Sequence, residues 1–71
     1  MKKVIDFIIE IGWDLLPIEE VISKLKAKFN IVNRQGEPAT EEFIETVVFW
    51  EKHTEIYESL EKMLNDRFKL I

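Results

Sequence analysis

Apolar residues crowd the first segment of the chain. Between Val4 and Leu16, positions Val4, Ile5, Phe7, Ile8, Ile9, Ile11, Trp13, Leu15 and Leu16 are apolar. Lys3, Asp6, Glu10 and Asp14 recur at helical spacing along one narrow stripe. A helix this apolar around its circumference has to be covered on several sides at once. The pattern predicts a helix from Lys3 to Ile11 or to Leu15, and Gly12 decides which. In left-handed geometry Gly12 ends the helix; inside a longer one it costs about 1 kcal/mol. Pro17 opens the next helix, because proline suits a first turn and biases Leu16 away from helical geometry.

The second segment has the cleanest rhythm. Ile18, Val21, Ile22, Leu25 and Phe29 recur at steps of three and four, which places them on one helix face. Glu19 and Glu20 stand at the positive end of its dipole, with Lys24, Lys26 and Lys28 toward the negative end. Glu20 and Lys24 have the spacing of an i,i+4 ion pair. Residues 30–39 read as a loop, with Asn33, Gly36 and Pro38 as turn formers and β-branched Ile31 and Val32 suited to a short extended segment. Thr40 is a good N-cap ahead of Glu41 and Glu42.

From Glu41 to about Phe68 nothing stops a helix. Phe43, Val47, Trp50, Tyr57, Leu64 and Ile71 make one stripe, with Thr54 and Glu61 as polar members. Phe49, His53, Ile56, Leu60 and Met63 make a second. Unbroken, this helix would be about 42 Å long at 1.5 Å per residue, more than a domain this small can cover. Either it breaks near His53–Thr54, with Thr54 capping a fourth helix, or it pairs with another copy of the chain. The fold expected is all-α, a small bundle of three or four helices with a short β segment in the 30–39 loop, and residues 1–71 form a single domain.

Composition narrows how such a domain is held together. A chain of 71 residues buries only about 60% of its unfolded surface. With no cysteine and one histidine, disulfides are excluded and structural zinc nearly so. Packed helices or oligomerisation remain. The absence of cysteine fits a reducing cytoplasm, and a cytoplasmic location is expected. Two lysines before an apolar run resemble a signal peptide only superficially, because Asp6 and Glu10 interrupt the run. No apolar stretch approaches the roughly 18 residues that span a bilayer, so no membrane partner is expected. The net charge of −4 is uneven: residues 1–35 carry six basic and five acidic side chains, residues 36–71 four and nine.

Candidate chemistry is sparse. A helical metal site at His53 would need a second ligand three or four residues away, where Phe49, Trp50, Ile56 and Tyr57 stand. Ser23 and Ser59 lie on charged helical stretches with no strained elbow around them. Neither Gly12 nor Gly36 belongs to a phosphate-cradling loop. No enzyme, cofactor or metal is expected.

What remains is surplus apolar surface. Val47, Val48, Phe49 and Trp50 form a run that one core would not require, and neighbours Phe49 and Trp50 must face different ways. These patterns point to a small protein–protein interaction or regulatory module. It is expected to self-associate as a dimer and to bind a protein partner through Phe49, Trp50, Ile56, Tyr57, Leu60, Met63 and Leu64. The alternative is a small DNA-binding regulator of helix-turn-helix or winged-helix type, with Lys24, Lys28 and Arg34 on phosphates. Against it, the segment after Thr40 opens with carboxylates, and no helix carries a set of Arg, Asn and Gln to read base edges.

Overall fold

The computed structural model describes residues 1–53 and 57–71. The first helix, α1 (Lys2–Glu10), ends just before Gly12, whose φ of 68° lies in the left-handed region. The amides of Ile11 and Gly12 donate back to the carbonyls of Phe7 and Ile9 at 3.0 and 3.1 Å. Glycine's freedom there satisfies the last turn, so the shorter of the two endings is adopted. A 3₁₀ turn at Trp13–Leu15 and then Pro17 lead into α2 (Ile18–Lys28). The carbonyl of Pro17 accepts from Glu20 and Val21, starting α2 where proline predicts.

Ile31 and Val32 do become extended, as β1 (Ile31–Asn33). The following turn is tied by Asn33. Its Oδ1 accepts from the amides of Gln35 and Glu37 at 2.9 and 3.0 Å, and its Nδ2 donates to Glu37 Oε1 at 3.1 Å. Gly36 completes the turn at φ 84°, and Val32 bridges Pro38 as the chain returns. In α3 (Thr40–His53) the first helical bond runs from the Phe43 amide to the Ala39 carbonyl. Ala39 is therefore the cap residue, one position before the threonine expected there.

The C-terminal third departs from the all-α expectation. A helix α4 (Tyr57–Arg67) follows, and then β2 (Phe68–Leu70), which pairs antiparallel with β1. The register sets Ile31 opposite Leu70 and Asn33 opposite Phe68. The chain is thus mainly helical with a two-stranded antiparallel sheet. The continuous rod is not formed: α3 and α4 are separate helices, and the longest dimension of the molecule, 29 Å, is shorter than such a rod. Thr54, expected to cap the later helix, lies outside the described residues.

One core unites these elements. Val4, Ile5 and Ile8 of α1 meet Val21 and Leu25 of α2, Ile31 of β1, Phe43, Ile44 and Val47 of α3, and Leu60 and Leu64 of α4. Phe68 of β2 closes it, its ring 5.5 Å from that of Phe43 in an edge-to-face pair. The chain covers more of α1 than its pattern suggests: Phe7 and Ile11 are half-buried against the core and Ile9 is exposed. The expected Glu20–Lys24 pair is not formed; the ion pair found among the described residues is Lys2–Asp6, at 3.8 Å on the surface. Among the described residues, no helix is long and apolar enough to cross a membrane.

Candidate interaction surface

The outward face of α3 follows from which of its residues the core takes. Phe43, Ile44, Thr46 and Val47 point inward, which leaves Glu41, Glu42, Glu45, Phe49 and Lys52 on the opposite side. The four-residue apolar run divides accordingly. Val47 is buried, Val48 and Trp50 are half-buried against the core, and Phe49 is 60% exposed. One core takes three of the four, and Phe49 lies on the exposed side of the helix.

At the start of α3 lies a cleft of about 550 Å³. Lys26 of α2, Pro38 and Ala39 ahead of the helix, and Thr40, Glu41, Glu42 and Glu45 of α3 line it. Thr40 is only 5% exposed. Its hydroxyl makes no hydrogen bond among the described residues, yet it is not sealed from solvent.

The other residues expected at an interface are placed differently. Leu60 and Leu64 are core residues, so they present no surface while this fold holds. Trp50 and Met63 pack half-buried against that core. Ile56 lies outside the described residues; Tyr57 opens α4, and its side chain, like that of His53, lies outside the description.

The basic residues of the DNA-binding alternative are also dispersed. Arg34 reaches from the turn after β1 to the end of α4, where Nε donates to the Asp66 carbonyl at 2.8 Å and Nη2 to the Asn65 carbonyl at 2.7 Å. That is a helix C-cap made by a distant side chain. Lys28 lies 4.7 Å above the Phe7 ring, and Phe7 in turn meets Phe29 edge-on at 5.5 Å. The lysine therefore ties the end of α2 to α1. Lys24 is exposed on α2.

Further exposed apolar residues lie around the junction of α1 and α2. Gly12 resets the helical phase: beyond it Trp13 and Leu16 pack half-buried against the core, while Leu15 turns outward. Leu15 is 84% exposed and Ile9 53%, with Ile18 exposed at the start of α2. All three belong to the ten-residue corner between α1 and α2. The signal was the glycine–proline spacing from Gly12 to Pro17, too short for Leu15 to continue the α1 face.

Comparison with protein-family models, with curated proteins and with solved structures finds no match to this chain. Nor, among the described residues, does any group of three or more histidines and carboxylates stand where it could hold a metal ion.

Proposed function

We propose that this chain is a small protein–protein interaction module that self-associates, with a symmetric dimer as its simplest form. The observation that carries the reading is the segment from Ile9 to Ile18, which joins α1 to α2 and in which Ile9, Leu15 and Ile18 are each exposed. Single exposed apolar side chains are ordinary, whereas several within one corner favour a contact surface. Leu15 stands out, because its side chain contributes almost nothing to the core of a lone chain.

The test is sedimentation equilibrium at high micromolar concentration. The mass is expected to rise above the 8.5 kDa of one chain and to return to it in Leu15→Glu. A single-chain mass at every concentration overturns self-association.

A second reading has one observation in its favour. Helix α3 ends at His53 and α4 begins at Tyr57, and β2 then returns to β1. Two successive helices followed by a paired strand have the element order of a winged helix-turn-helix. Electrostatics oppose it: residues 40–67 carry eight acidic and three basic side chains, and phosphate binding needs the reverse balance. A salt-sensitive mobility shift with duplex DNA would put this reading first.

A further inference from the structure

We propose that the outward face of α3, from the cleft at its start to Phe49, receives an arginine-bearing segment of a partner protein; this rests on reading the chain as an interaction module. Charge complementarity selects the occupant. Glu41, Glu42 and Glu45 line the cleft against one cation, Lys26. An anion there would face three carboxylates, so a phosphate or a partner's carboxylate is disfavoured despite the helix N-terminus.

A cation would find acceptors on several sides. Thr40 adds one that the described residues leave unused, a hydroxyl on a side chain 5% exposed that lines the same cleft. That hydroxyl opens to the cleft and is not bonded by the described residues, so beside three carboxylates it is a place for a donor from outside. Phe49 follows Glu45 by one helical turn, about 6 Å along the axis, and its exposed ring offers a surface for an aliphatic stem or a stacked guanidinium. Arginine meets these demands better than lysine. Its planar fork bonds a carboxylate through two N–H groups and still has donors left for the threonine.

The probe is a short fluorescein-labelled peptide of arginine, leucine and alanine, with a counterpart in which citrulline replaces arginine. Anisotropy is expected to show saturable binding of the arginine peptide only, weakening as sodium chloride rises from about 50 to about 300 mM. Glu42→Lys with Glu45→Lys should weaken it at least about tenfold, and Glu19→Lys with Glu20→Lys, on the exposed start of α2, less than about twofold. Thr40→Val should weaken it about threefold with the thermal midpoint unchanged. If Glu42→Lys with Glu45→Lys unfolds the chain, Glu42→Gln with Glu45→Gln replaces it.

Equal weakening by the two reversals, binding of the citrulline peptide, or wild-type affinity in the folded α3 variants overturns the proposal. Sedimentation of the same samples separates the two readings. A dimer that ignores the peptide overturns the arginine site alone.

Discussion

Arg34 offers the sharpest test of how the fold is closed. Its guanidinium donates to the carbonyls of Asn65 and Asp66 at 2.7 and 2.8 Å. These acceptors belong to the last turn of α4, where carbonyls lack helical partners and the dipole is negative. Replacing arginine with methionine keeps an apolar stem and removes every donor. Hydrogen bonds to charged groups contribute about 1.5–3 kcal/mol each, but these lie at the surface, where water replaces much of the loss. Holding the long side chain in place also costs up to about 2 kcal/mol of rotamer freedom. The net expectation for Arg34→Met is a loss of about 1–2 kcal/mol, or roughly 5–15 °C in thermal midpoint for a domain of this size. Urea denaturation followed by circular dichroism should show a lower midpoint with unchanged slope. Arg34→Lys should recover only part of the loss, since one ammonium lacks the fork that reaches both carbonyls. An unaltered midpoint in Arg34→Met refutes the clamp; loss of duplex DNA binding in that same stable variant would restore Arg34 to a phosphate role.

Two further expectations test the core and the first turn. Leu25 is completely buried at the centre of the α2 stripe, so Leu25→Ala should cost about 2–5 kcal/mol, and an unchanged denaturation midpoint would show that the core is packed otherwise. Gly12→Ala should cost about 1–2 kcal/mol by calorimetry. A Cβ there meets only Leu15, at an ordinary 3.9 Å, so the penalty comes from φ 68° alone, and a neutral substitution would contradict the left-handed cap.

The local elements were legible where local physics decides them. Gly12 and Pro17 punctuate the first two helices, and the steps from Val21 to Leu25 mark an inward face. The Ile31–Val32 extension also showed, because β-branched residues stand beside turn formers. What did not show is decided by pairing across the chain. Nothing from Phe68 to Leu70 breaks a helix; those residues become β2 because β1 offers a backbone edge and Phe43 a ring for Phe68. The role of Arg34 is hidden for the same reason, since its acceptors lie more than thirty positions away.

The long stripes misled in a related way. Drawn through residues 43–71 as one helix, they group Phe49 with Leu60, yet the first is exposed and the second buried. Once α3 and α4 are separate, no common phase connects them. The exposure of Phe49 was legible in the apolar run it shares with Trp50, whose neighbours must face different ways. The α1–α2 corner and the unused hydroxyl of Thr40 became visible only with burial.

The pairing of β1 with β2 fastens Asn33 to Phe68, and everything between them, both later helices included, becomes a captive loop. Closing such a loop is an entropic debt settled late, after the helices it carries have something to dock on. Release of three residues at the latch would uncover Ile31 and Phe68 together with a bare backbone ribbon, the kind of edge that recruits other chains. The smallest element of this molecule therefore governs both how cooperatively it holds together and how safely it comes apart.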